Sequence, residues 1–245
     1  MRNELFWGML ALSVAIVFGS CAGAGALRDF RRVDEMEATG SARRAVTSDY
    51  IVWRSQVAVQ AATRPEGYAQ LTSATARVRS YLSQRGIPDD AVTVGAVEAY
   101  PIQEYNQQGR ETGRVLGYRF SQMIEVRSED VDGVAAIAEQ SSELIAEGVP
   151  VTAFSPEYLF TGIDAIRTEL LAEATRDATE RANAIAESAG ASIGAARSAR
   201  MGVFQITSRH STMVSDYGIN DTSSREKDVT AVVRVTFAVE GGRGR

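Results

Sequence analysis

The sequence predicts an α+β protein: a mainly antiparallel sheet with three helices packed on it, preceded by an N-terminal hydrophobic helix. Three observations carry this. From Asp34 onward apolar residues alternate between a period of two and a period of 3.6. The strand patterns recur singly or in hairpins between the helical ones, not as a regular βαβ array. And Leu5 to Leu27 contains no charged residue. The bulk figures agree with a folded chain: 245 residues, 44% apolar, 23% charged and one cysteine, which excludes disordered and disulfide-rich classes. A net charge of −5 excludes a surface built to neutralise phosphates, so no nucleic-acid partner is expected. Lys227 is the single lysine among 26 basic residues and reads as coding bias.

The first segment sets the compartment. Its dense part, Leu5 to Phe18, is long enough for the apolar region of a secretory signal. The whole stretch to Leu27, at about 1.5 Å per residue, also reaches across a hydrocarbon core about 30 Å thick. Two outcomes stand side by side. Residues 1–27 stay as a membrane anchor, or Phe18-Gly19-Ser20-Cys21 is a lipobox with cleavage before Cys21, the lipidation candidate. Both put the chain at a membrane through residues 5–27, with the rest on the periplasmic or extracytoplasmic side. Residues 28–33 form a basic linker, 34–240 one α+β domain, and 241–245 a frayed tail.

Within that domain a short strand is expected around Met36 to Ala42. A second, Tyr50 to Gln60, puts Ile51, Trp53, Val57 and Val59 on one face. Thr63-Arg64-Pro65-Glu66 starts a helix, because the hydroxyl can cap and proline is tolerated in the first turn. Leu71, Ala74, Val78 and Leu82 form its apolar stripe and Gly86 its stop. Ala91 to Tyr105 is extended, Asn106 to Gly113 is a polar hairpin tip, and the returning strand faces Tyr118, Phe120, Ile124 and Val126 one way. Ser128 can cap a second helix with the stripe Val131, Val134, Ala138 and Ile145. After a short strand near Glu157 to Phe160 comes a third helix, Ile163 to Ala189. Its narrow stripe of Ile166, Leu170, Ala174, Ala178, Ala182 and Ile185 lets it lie close to a neighbour. Strands follow near Ala199 to Thr207 and Asp228 to Val239, with a polar loop from His210 to Lys227 between them.

The chemistry legible in these residues is sparse, and no cofactor is expected. His210 is the sole histidine and sits in a Ser/Thr-rich loop without a motif, so it reads as an exposed, idle imidazole. Metal sites built from several His or Cys are excluded by count. The Gly190–Gly194 segment follows a helix, the wrong side for a pyrophosphate to meet a helix N-terminus. Glu129-Asp130-Asp132 reads as a capped helix terminus, not an acid/base pair. Tyr100, Tyr105 and Tyr158 are the candidate lining of a groove for a small ligand or peptide.

The order of several segments resembles the SIMPL-domain family, bacterial envelope proteins long catalogued as having unknown function. The resemblance rests on Tyr50-Ile51-Val52-Trp53, Gly117-Tyr118-Arg119-Phe120, and Ser141 to Val149. It rests most on Glu157-Tyr158-Leu159-Phe160-Thr161-Gly162-Ile163, continuing to Ala189-Gly190 and Ile193-Gly194. Of a Lys-Gly pair usual in the first strand, Thr39-Gly40 keeps only the glycine. The resemblance implies an exported or anchored α+β protein without established catalytic residues, in a family where some relatives assemble into homo-oligomeric rings and some are linked to oxidative-stress tolerance. A non-enzymatic envelope protein acting through self-assembly or partner binding is therefore the expected function. A periplasmic ligand-binding module and a hydrolase using His210 or paired carboxylates are the alternatives.

Overall fold

The computed structural model describes residues 34–241. The anchor at 1–27 with Cys21, the linker at 28–33 and all of the tail beyond Gly241 lie outside the described residues. In chain order the elements are β1 (Glu35–Thr47), β2 (Tyr50–Ala61), α1 (Arg64–Gln84), β3 (Val92–Tyr105), β4 (Glu111–Ser128), α2 (Val131–Gln140) and α3 (Ser142–Ala146). They continue with β5 (Val151–Ala153), β6 (Glu157–Leu159), α4 (Ile163–Ser188), β7 (Ala191–Met201), β8 (Gln205–Ser208), β9 (Ile219–Asn220) and β10 (Glu226–Gly241). The α+β class and the mostly antiparallel pairing are as the sequence predicts. The second helix is broken at Ser141, so α2 and α3 share one expected helix.

One expectation changes: the strands form two five-stranded sheets instead of one. The chain also divides into two compact units. Unit 1 holds the described residues up to Ala42, Leu171–Gly202 and Val232 onward; unit 2 holds Arg43–Leu170 and Val203–Ala231. Strands β1 and β10 and helix α4 each run from one unit into the other.

In unit 2, β3, β4 and β2 lie side by side and antiparallel, with β5 and β6 sharing the far edge of β2. The strand period sends Ile51, Trp53 and Val57 from β2 and Phe120, Ile124 and Val126 from β4 to one face. There they pack with Leu71, Val78, Tyr81 and Leu82 of α1, and with Val131, Val134, Ile137 and Leu144 of α2 and α3. Ile145, expected inside, is 57% exposed; the buried stripe runs Val134, Ile137, Ser141 and Leu144, steps of three and four residues that continue across the break. Thr63 caps α1 as expected, its hydroxyl accepting from the Glu66 amide. At α2 the cap is Asp130, whose carboxylate accepts from Gly133 N at 3.0 Å, while Ser128 Oγ accepts from Asp130 N instead. Gly67 has a steric cause: a Cβ there would stand 2.3 Å from the Phe120 ring.

In the other sheet β10 is the long central strand, with β1 on one side and β7 and β8 in succession on the other. The expected strand at Ala199–Thr207 is two strands, β7 ending at Met201 and β8 beginning at Gln205, although the Gly202 amide still donates to Val232 O at 2.9 Å. β7 begins at Ala191, directly after Gly190 closes α4 with a φ of 72°. Within unit 1, Ala174, Ala178, Ala182 and Ala186 of α4 are fully buried, whereas Ile185 is 54% exposed. The stripe follows the alanines at four-residue spacing, and the tight fit explains Gly40: a Cβ there would lie 2.1 Å from Ala174 O and 2.3 Å from Ala178 N. Asp177 Oδ2 accepts the Ser41 amide at 2.8 Å, tying helix to strand beside that contact.

Candidate functional site

The three tyrosines singled out from the sequence do not share a groove. Tyr100 pairs with Arg119, itself opposite Gln60, while Tyr158 pairs with Ile51. Nine residues of β2 separate Ile51 from Gln60, roughly 30 Å at strand rise, and β3 and β6 lie on opposite sides of the β4–β2 pair. Tyr158 packs against the core, whereas Tyr100 and Tyr105 are 59% and 60% exposed.

Tyr105 belongs to a projecting arm, and Tyr100 stands at its base, still beside the β4–β2 pairing. Pairing between β2 and β4 ends at Ala61–Tyr118, but β3 and β4 stay paired out to Tyr105–Glu111. Beyond Gly117 the sheet thus narrows to a two-stranded hairpin, with Val115 and Leu116 also exposed. Gly117 is where β4 leaves β2, and a Cβ there would sit 2.9 Å from Ala61 O. The tip is shorter than expected, since β4 already begins at Glu111. Asn106 closes it, its side-chain carbonyl accepting from the amides of Gln108 and Arg110 at 3.0 Å each. The outer edge of β3 is blunted by one register shift between Val94 and Val97 and by Pro101, a residue sheets tolerate at edges where no ladder donor is needed. Between Glu111 and Gly117 β4 is irregular too: the shifts at Ile102/Gln103 and Gln103/Tyr105 put their extra residues on β4, where Gly113 has a φ of 82°.

Helix α1 supplies a second candidate surface. Its solvent side bears Ser73, Ala76, Ser80 and Ser83, small residues that leave three hollows of about 430, 430 and 270 Å³, with Ala76 lining each. One of the larger pair lies between α1 and α3, against Tyr81, Arg77, Arg85 and Glu147. Arg85 lies over the Tyr81 ring, 3.6 Å from its centroid, and pairs with Glu143. Burial pushes the Tyr81 phenol above its ordinary range, against the opposing pull of Arg85. The small residues at helical spacing were the sequence signal for this surface, hidden because attention goes to the apolar stripe opposite.

The remaining candidates have structural partners. Asp130 caps α2, and Asp132 pairs with Arg225. His210 is exposed in a turn with φ 62°, its backbone amide donating to Asp228 Oδ2. Lys227, read as coding bias, has a definite place: it continues the inward face of β10 below Val229 and its side chain has no exposure. Its ammonium donates to Asp221 O and faces the Asp221 carboxylate. Desolvation raises the pKa of that carboxylate, but hydrogen bonds from Ser224 and Ser223 and the Lys227 charge outweigh it and hold the group well below the usual range. On the sheet face away from α1, Arg54 bridges Glu125 at 2.6 Å and Glu157 at 2.5 Å, and Arg127 also pairs with Glu125. The hydrogen bond from Arg127 leads the causes that lower the Glu125 pKa. Among the described residues no cluster of three or more His, Cys, Asp or Glu could hold a metal ion, and no helix is long and apolar enough to cross a membrane.

Residues 36–237 match the SIMPL family, described as a protein of unknown function (DUF541), and the chain belongs to that family. No curated protein matches it in sequence. Among solved structures it is similar to a chain from Burkholderia cenocepacia with a provisional amidohydrolase/peptidase name, at 21% identity and TM-score 0.22. That match covers 54% of this chain but 34% of the other, so this chain spans about a third of it. A Listeria innocua hydrolase (11% identity, 81% of this chain and 91% of the other, TM-score 0.21) is also similar. So is an uncharacterised conserved Listeria innocua protein (10%, 78% and 91%, TM-score 0.21). At such TM-scores these likenesses carry no argument.

Proposed function

We propose that this SIMPL-family chain is a non-enzymatic cell-envelope protein, held at the membrane through residues 5–27, that works by assembling with copies of itself. The observation that carries this is the β3–β4 arm. A hairpin that outruns its sheet has no core of its own, and two-stranded hairpins alone are marginal in water. Here the arm leaves Tyr105, Val115 and Leu116 exposed on a hairpin with nothing beneath it, and Tyr100 is exposed at its base. Such surface is covered when a matching apolar surface is offered, and in a homo-oligomer each copy offers the same one.

The test is light scattering on the full chain in detergent, with the micelle contribution subtracted. The wild type should form one discrete particle of several subunits. Leu116→Glu, or the exposed pair Tyr105→Ser with Val115→Ser, should reduce it to a monomer with unchanged circular dichroism. A wild-type monomer, or a particle indifferent to these changes, rejects the reading.

A further inference from the structure

We propose that the β3–β4 arm of one copy seats on the loop between β8 and β9 of the next, a head-to-tail contact. This rests on the reading of the arm as the element of assembly, and it names the surface that receives the arm. Residues 209–218 of the loop present Met213, Val214 and Tyr217 at 70%, 84% and 97% exposure, so no described residue covers them. Half-exposed Val203 adjoins them, since a Cβ on Gly218 would stand 3.7 Å from its own. Tyrosine and methionine are enriched in the cores of protein–protein interfaces, and contiguous exposed apolar surface marks a contact site.

The loop is built to hold those side chains in place. Buried Gln205 donates from Nε2 to Ser215 O at 2.7 Å, and the Gly218 amide donates to the same carbonyl at 3.1 Å. Ser211 N donates to Ser208 O at 3.1 Å, and Tyr217 N to Ser215 Oγ at 3.3 Å. At the start of the loop His210 takes a φ of 62°, the one non-glycine residue with positive φ among the described residues. A loop fixed in this way loses little freedom on binding, so its apolar side chains are presented to a partner at small entropic cost.

Charge selects a second copy as that partner. In the arm Arg114 pairs with Glu104, and Glu111 accepts from the Tyr105 hydroxyl, which leaves the side chain of exposed Arg110 at the tip without a partner. In the loop Arg209 pairs with Glu226, which leaves exposed Asp216. Among the described residues each apolar patch thus carries an unanswered charge, and the two are opposite in sign. Arm against arm, or loop against loop, would offer one sign only. Arm against loop brings Arg110 to Asp216 while Tyr105, Val115 and Leu116 cover Met213, Val214 and Tyr217. Because the two surfaces differ, each copy uses its arm on one neighbour and its loop on another.

The experiment is light scattering on the full chain in detergent, with micelles in excess and their contribution subtracted. It uses an arm variant, Leu116→Glu, and a loop variant, Val214→Glu with Tyr217→Ser. Each alone should be monomeric with unchanged circular dichroism. Mixed in equal amounts they should form dimers and nothing larger, since one keeps its loop and the other its arm. Asp216→Arg and Arg110→Asp should each raise the concentration of half-assembly about tenfold, and both in one chain should restore it. A loop variant that assembles like wild type, a mixture that stays monomeric, or a double reversal no better than the single ones would overturn the proposal and leave the arm reading standing. A wild-type monomer would remove both.

Discussion

Helices α1 and α4 meet the strands of their own units on different terms. In unit 2, α1 presents Leu71, Val78, Tyr81 and Leu82 to a sheet face built from Ile51, Trp53, Val57 and Phe120. Side chain interleaves with side chain there, and a changed volume can be shared among neighbours that adjust rotamers. In unit 1, α4 presents alanines, and at Gly40 strand backbone nearly touches helix backbone. No side chain stands between them to give way. Of two buried helix faces, the more closely approached is the less forgiving, although it buries less apolar surface per residue.

The contrast is broken most severely at Gly40. Gly40→Leu should cost more than about 4 kcal/mol, beyond ordinary overpacking, because backbone must move. Hydrogen exchange across β1 and α4 should show the loss first in unit 1; exchange rates equal to wild type would sink the account. Next comes Leu71→Ala, expected to cost about 2–5 kcal/mol in urea unfolding followed by the fluorescence of buried Trp53. Leu71→Met, conserving volume, should cost less than about 1.5 kcal/mol, a leniency the alanine stripe does not share.

The smallest effect sharpens the comparison along β10, whose inward face carries Phe237 in unit 1 and Lys227 in unit 2. The charge at the second end is tolerable only because Asp221 answers it. Asp221→Asn should destabilise by about 1–3 kcal/mol at neutral pH, the worth of hydrogen bonds to a charged group. Since folding lowers the Asp221 pKa, the stability it supplies is complete above the unfolded value of about 3.9 and fades as pH falls through the folded one. The gap between wild type and variant should therefore close in acid. A constant gap from pH 7 down to pH 2 would exclude the ionised carboxylate as its source.

Much of this architecture was legible in advance, and the misses share a cause. Thr63 with Pro65, the alternation along β2, β4 and β10, and the four-residue alanine spacing of α4 each act through neighbours in the chain, so their consequences appear in the linear order of residues. Ile145 and Ile185 were assigned inward by continuing an ideal helical stripe. In the fold Leu144 and Ala186 occupy those buried places, because the true stripes pass one position aside, through Ile137, Ser141 and Leu144 in α2 and α3 and through the alanines of α4.

By itself the sequence determined the class, the apolar faces of β2, β4 and β10, the Thr63 cap and the charge-free opening segment, because these depend on spacing and composition alone. Tertiary structure decided what depends on distance between remote residues. It split the strands into two sheets and moved Tyr158 away from Tyr100. It buried Lys227 against Asp221, and it let the β3–β4 hairpin run past the end of β2. A strand pattern states which face is apolar, but not which strand lies alongside or where pairing stops. Those choices belong to hydrogen bonds and contacts that no local window of the chain contains.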